Sequence, residues 1–274
     1  MENNVVTVSN TFVQASYSLN LIEKRLILAC LSKIDNNISK LEGRERDTLE
    51  TINSDTYYKL SVIDYAELYN ITYEKAKDEL VIAIDKLYSR EVRYTDKNNN
   101  TIRTRWISSA IEYDKVTHSI SIAWAIGIIP LISELRGNFT SYKMRFLAGL
   151  SSSYSIRWYE IFIMELAKSH KHEIIVELSI DTIRTMFELQ NKYALFGDFV
   201  KRVIDGPLKE INETKIGNIQ VSIYDKYGNK MYIKRGKQVV GIKFKVSWRT
   251  TRNIKPIENK QEKQLRLYGK ILDE

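Results

Sequence analysis

A chain of 274 residues with 43% hydrophobic and 28% charged side chains has the make-up of ordinary globular proteins and the length of two compact domains. No apolar run approaches the ~18 residues of a spanning helix. The start MENNVVTVSNTF shows no basic region followed by an apolar stretch, and the lone cysteine, Cys30, rules out an internal disulfide and argues against a cysteine zinc site. The expectation is therefore a cytoplasmic protein with no membrane partner. The net charge of +8 is uneven: residues 1–132 hold 16 Lys/Arg against 18 Asp/Glu, and residues 133–274 hold 26 against 16. Residues 192–252 alone carry 14 basic and 5 acidic side chains, the footprint of a surface that neutralises phosphates rather than one that only keeps a chain in solution.

In chain order, residues 19–34 place apolar side chains at 19, 22, 26, 27, 30, 31 and 34, which predicts a helix with one wide apolar stripe. A polar, charged loop follows over 36–55. The next stretch reads as a short strand to Leu60, a helix over about 63–69, a turn, a helix over 73–88 capped by Thr72, and a hairpin in which DKNNNT joins EVRY to TIRTRWI. Strand, helix, turn, helix and hairpin in that order spell a winged helix-turn-helix. A second, divergent copy follows at an offset of about 118 residues, with LSID at 178–181 echoing LSVID at 60–64. Its third helix is FGDFVKRVIDGPLKEIN (196–212), its hairpin spans 218–246, and an amphipathic helix over 155–169 precedes it as 20–34 precedes the first. The predicted fold is α+β, two tandem winged helix-turn-helix domains, with a boundary near 133–138: residues 1–135, residues 136–252 and a polar tail 253–274 in which QLRLYGKIL has helical spacing.

Catalytic chemistry finds no foothold. There is no G-x-x-x-x-G-K-[ST] phosphate loop. HKH at 170–172 lacks the apolar middle residue and the third ligand of a histidine metal site, and none of the seventeen tyrosines sits among acids and histidines that would activate it. We expect no catalytic residue, no metal and no cofactor.

Binding chemistry concentrates in the second copy. In a helix-turn-helix the start of the third helix enters the major groove, which makes Arg202 a candidate for bidentate contact with guanine and Lys201 for a phosphate or base edge. Lys192 and Tyr193 lie in the turn that approaches the backbone. Gly206-Pro207 should kink the helix or start a second one. The hairpin carries Lys226, Lys230, Lys234, Arg235 and Lys237, a basic wing for phosphates or the minor groove. In the first copy Tyr73, Lys75 and Lys77 begin the third helix and Arg103 and Arg105 lie on the hairpin. Acidic Glu74, Asp78 and Glu79 dilute that face, so a solvated amphipathic helix reads there equally well.

Three stretches, NTFVQASYSLNLIEKRLILACLSKID, FTSYKMRFLAGLSSSYSIRWYEIFI and FGDFVKRVIDGPLKEINE, together resemble the replication initiator proteins of iteron-controlled bacterial plasmids. The resemblance runs to about Trp248. It implies twin winged-helix domains that bind direct repeats at an origin as a monomer, and repression of the protein's own gene as a homodimer. It also implies recruitment of the host initiator and replicative helicase. The second domain would supply the main base-reading helix, and the first would supply auxiliary contacts and the dimer surface. A transcriptional repressor without an origin role is the alternative of the same type; a rolling-circle nickase, from another class, lacks its histidine pair.

Overall fold

The structure, a computed structural model, describes residues 4–38, 54–133 and 138–249. The expected boundary at 135/136, most of the loop 36–55, the tail and its helical QLRLYGKIL segment lie outside the described residues.

Strand β1 (Val5–Ser9) runs into a short helix α1 (Asn10–Gln14), capped by the Ser9 hydroxyl, and then α2 (Leu21–Ile38). Asn20 and Glu23 close the start of α2 reciprocally. The Asn20 Oδ1 accepts from the Glu23 N–H at 2.9 Å, and Glu23 Oε2 accepts from the Asn20 N–H at 2.8 Å. Next come β2 (Tyr57–Ser61), α3 (Val62–Tyr69) and α4 (Tyr73–Ser89). Ser61 caps α3 through the Asp64 N–H, left-handed Asn70 ends it, and Thr72 caps α4 through the Lys75 N–H at 3.3 Å, as its position before the helical pattern predicts.

The hairpin that follows differs from expectation. Strands β3 (Glu91–Thr95) and β4 (Thr101–Arg105) form a two-stranded sheet of their own. The wing is instead made by β5 (Ile107–Asp114) and β6 (Ser119–Trp124), which with β2 form an antiparallel sheet in the order β2-β6-β5. The reason is visible in burial: β6 is SISIAW and buried throughout, so it takes the centre of the sheet, whereas alternate residues of β4 are exposed. The DKNNNT turn is real, but it belongs to an additional hairpin. After α5 (Ile129–Ile132), β7 (Phe139–Lys143) returns to pair antiparallel with β1, from Val5 opposite Lys143 to Ser9 opposite Phe139.

The second copy comprises α6 (Ser153–Ser169), β8 (Glu173–Ser179), α7 (Ile180–Met186), α8 (Phe196–Phe199), a π turn over Val200–Asp205, α9 (Gly206–Glu213), and strands β9 (Ile219–Ser222), β10 (Tyr232–Arg235) and β11 (Gln238–Trp248). Ser179 caps α7 through the Thr182 N–H at 2.9 Å, repeating the role of Ser61. Strand β11 is central, with β8 on one edge and β9 then β10 along the other.

The two copies share one core. Helix α6 is not one-sided as its spacing suggests: side chains from Ser155 to Met164 are buried all round, between α9, β8 and β11 on one side and α1 and β7 on the other. Trp158 is its hub, with ring centroids 5.2 Å from Phe162, 5.0 Å from Phe187 and 4.9 Å from Phe244. Each such side chain contributes roughly 1.5–3 kcal/mol of burial. Helix α2 likewise buries its charged side, where Glu23, Lys24 and Arg25 pair with Arg90 (3.0 Å), Glu160 (2.8 Å) and Glu79 (3.5 Å).

Candidate nucleic-acid interface

The outward face of the second copy begins at the turn between α7 and α8. Glu188 and Tyr193 both take left-handed backbone conformations (φ 49° and 53°) without being glycine, a local cost that needs an outside restraint. Arg184 supplies it. Its guanidinium donates to the carbonyls of Leu189 (3.0 Å), Lys192 (2.8 Å) and Tyr193 (2.8 Å) and lies 4.8 Å from the Phe199 ring centroid. The turn is therefore pinned from beneath while the Lys192 side chain stays exposed. An arginine in the last turn of a helix suggests a donor for that helix's own carbonyls, but Arg184 serves carbonyls beyond α7, which local sequence did not signal.

Residues 196–213 run as α8, the π turn and α9, and the last of these starts at Gly206-Pro207, one of the two outcomes expected of that pair. Backbone angles stay right-handed helical through Phe199, Val200, Asp205 and Gly206. Proline has no N–H for the carbonyl four residues back and its ring crowds that carbonyl. The helix widens instead: the Gly206 N–H donates to the Lys201 carbonyl, five residues back. The carbonyl that Pro207 cannot serve, Val203, accepts from the Trp158 indole N–H at 2.6 Å. A side chain at 206 would begin 3.3 Å from the Lys201 oxygen, so glycine suits the turn. Phe199, Val203, Ile204, Leu208 and Ile211 are buried, and Lys201, Arg202 and Lys209 are exposed. The Arg202 guanidinium stands 6.0 Å from the Tyr193 ring centroid.

The wing has two tight reversals. Asp225 accepts from the N–H groups of Tyr227 and Asn229, both at 2.8 Å, and Gly228 (φ 85°) completes the first. These donors, Asn229 foremost, hold the Asp225 carboxyl below its ordinary range. The second reversal turns at Gly236 (φ 59°). Lys226, Lys234, Arg235 and Lys237 are exposed around them. Lys230 behaves differently from the free phosphate contact expected of it. Its ammonium reaches both Asp205 oxygens, at 2.9 and 3.2 Å, and lies 5.7 and 5.9 Å from the Tyr224 and Tyr232 ring centroids. It fastens the wing to the helix, and that function depends on a fold contact invisible in the local sequence.

The first copy is less open. Tyr73 and Tyr113 hydroxyls lie 3.0 and 2.8 Å from His118 Nδ1, and the Lys77 ammonium is 5.1 Å from the Tyr113 ring. Hydrogen bonding to Tyr113 is the main cause raising the Tyr73 phenol above its usual range. Lys75 is exposed, 4.0 Å from Glu79. Arg103 is bidentate to Glu91 at 2.6 and 2.7 Å and Arg105 lies over the Tyr88 ring at 5.6 Å. Both arginines stand on the additional hairpin rather than on the wing, whose tip brings exposed Lys115 and His118 beside the start of α4.

Among the described residues no three His, Cys, Asp or Glu side chains group as metal ligands, and no helix is long and apolar enough to cross a membrane. Burial pushes the Cys30 thiol up to about 12, which suits packing rather than reaction.

Residues 5–163 match the family described as Initiator Replication protein, WH1, and residues 179–246 match Initiator Rep protein, WH2. Over 209 residues the chain is 26% identical to a replication initiation protein of Escherichia coli, a match covering 76% of this chain and 62% of that one. It thus spans less than two thirds of that relative. It is also 23% identical over 214 residues to an uncharacterized 27.6 kDa protein of Escherichia coli, covering 76% of this chain and 84% of the other. Its fold is similar to that of the Pi initiator protein solved in complex with iteron DNA, with a TM-score of 0.68 at 19% identity over 91% of this chain and 99% of the other.

Proposed function

The chain belongs to the initiator replication proteins, a DNA-binding winged-helix family and not a known enzyme family, and from that premise we propose that it binds directly repeated sequences in double-stranded origin DNA. The observation that carries the reading is the mounting of the helix over 196–213. It exposes Lys201 and Arg202 beside a pinned turn, with the basic wing fastened to the same helix through Lys230 and Asp205. Residues 136–252 would read base edges, while residues 1–135 would add contacts through Tyr73, Lys75 and Lys77 and the surface for a homodimer in equilibrium with monomer. Bound in the cytoplasm, the protein would recruit the host initiator and replicative helicase, and as a dimer repress its own gene, without catalysis of its own.

Fluorescence anisotropy with tandem repeats of about 20 base pairs, two helical turns, against scrambled duplex tests the binding. Equal affinities would overturn it. Parallel assays should show neither ATP hydrolysis nor nicking of a supercoiled origin plasmid. Metal-dependent nicking abolished by changing one tyrosine would replace this reading with a nickase.

A further inference from the structure

Five charged side chains of the described residues are buried: Glu23, Lys24, Arg25, Arg157 and Glu160. Four of them face an opposite charge, as described above for α2. Arg157, 3% exposed, faces no carboxylate. Its Nη2 donates to the Ala15 carbonyl and its guanidinium stacks 3.7 Å from the Tyr17 ring centroid, but Nε and Nη1 have no hydrogen-bond partner within the protein. An aromatic face offsets part of a cation's loss of water; it does not satisfy two buried N–H groups.

Arg157 lines a cavity of about 20 Å³ together with Lys24, Ser18, Ser153 and Tyr154. The volume suits a single water-sized occupant, and charge selects between occupants. The local carboxylate, Glu160, is already engaged by Lys24 at 2.8 Å and by the Tyr142 hydroxyl at 2.6 Å, which leaves two cations against one anion in a buried setting. Buried charge is retained where it is compensated. We propose that this cavity binds a small inorganic monoanion of halide size, chloride being the probe of choice, held by Arg157 with Lys24 and the serine hydroxyls. Selection of a spherical monoanion over the larger oxyanions sulfate and phosphate would separate this site from the basic outer surface.

The position gives the anion a consequence. Residues 15–19 pass between the two copies: Ser16 forms a bridge with Arg93 of β3, and the Tyr17 N–H donates to the Met186 carbonyl at the end of α7. Lys24 comes from α2 and Arg157 from α6. Neutralising the surplus charge there steadies the junction that sets the two helix-turn-helix motifs relative to each other.

Thermal unfolding of the full chain without DNA, at constant ionic strength, tests the site. The midpoint should rise with the logarithm of chloride as it replaces glutamate, bromide should substitute, and sulfate should not. Crystals grown in bromide should show an anomalous peak against the Arg157 guanidinium. Arg157→Met and Arg157→Gln should abolish the chloride dependence; should neither variant fold, the bromide crystal of the unaltered chain still decides. A water molecule without anomalous signal at that position, or a chloride effect that survives in either variant, would overturn the proposal.

Discussion

Replacing Trp158 by phenylalanine removes the donor that serves the Val203 carbonyl and thereby tests how a proline is carried inside the helical run 196–213. The indole N–H lies 2.6 Å from that oxygen, and Val203 itself is fully buried. Leaving the carbonyl unserved costs about 1–3 kcal/mol, and the smaller ring adds a packing loss below the roughly 3–5 kcal/mol of complete aromatic truncation. The sum is about 2–5 kcal/mol. Pro207→Ala separates the two parts, because an alanine N–H at 207 can return to the Val203 carbonyl and make the indole donor redundant. In a double-mutant cycle read by urea denaturation of the full chain, the Trp158→Phe loss should shrink by about 1–3 kcal/mol when residue 207 is alanine. Effects that add within ~0.5 kcal/mol would show that the indole bond and the missing proline donor are unrelated.

Arg202→Ala should cost ~1–3 kcal/mol on the specific repeat and much less on scrambled duplex, whereas Lys234→Ala should weaken both alike and lower the salt slope by about 1; equal losses for Arg202→Ala on the two duplexes would remove it from base reading. Leu195, 71% exposed just before α8, is predicted to touch a thymine methyl. Deoxyuridine in place of one thymine of the repeat should weaken the wild type and leave Leu195→Ala indifferent, and a loss equal in both would refute the contact. The Asp225 turn should open in acid: a carboxyl depressed by N–H donors contributes stability that is present above the unfolded value of about 3.9 and lost as pH falls through its lower folded value. Amide exchange at Tyr227 and Asn229 between neutral pH and pH 2 checks this, and an Asp225 titrating at the ordinary value would contradict it.

The two helix-turn-helix units could be read from the chain because their signals are local. Ser61 and Ser179 cap the first helices, Thr72 caps α4, and apolar spacing marks each buried face. What the sequence hid depends on contacts distant along the chain. Which strands join β2 is decided by burial of β6, so the DKNNNT hairpin passed for the wing. Lys230 and Arg103 read as free cations until the fold brought Asp205 and Glu91 against them. Gly206-Pro207 announced a new helical segment, but the indole of Trp158 that serves the Val203 carbonyl comes from another helix and left no local sign. The single apolar stripe of α2 gave no sign that its charged side is buried too, because its partners Arg90, Glu79 and Glu160 are distant along the chain.

The pairing of β1 with β7 has a consequence for how the protein is made. Strand β1 is synthesised before the whole first helix-turn-helix and its sheet, and its partner only after them. Until then β1 has an open edge, the kind of surface that pairs with other chains. Long-range closure of this sort is slow relative to local helix formation, and domains otherwise tend to mature from the N-terminus during synthesis. The pair that closes the first copy is therefore completed only as α6 of the second copy emerges to cover it. A fragment cut at residue 135 would keep β1 without β7, and its self-association would report that unpaired strand as much as any native dimer surface.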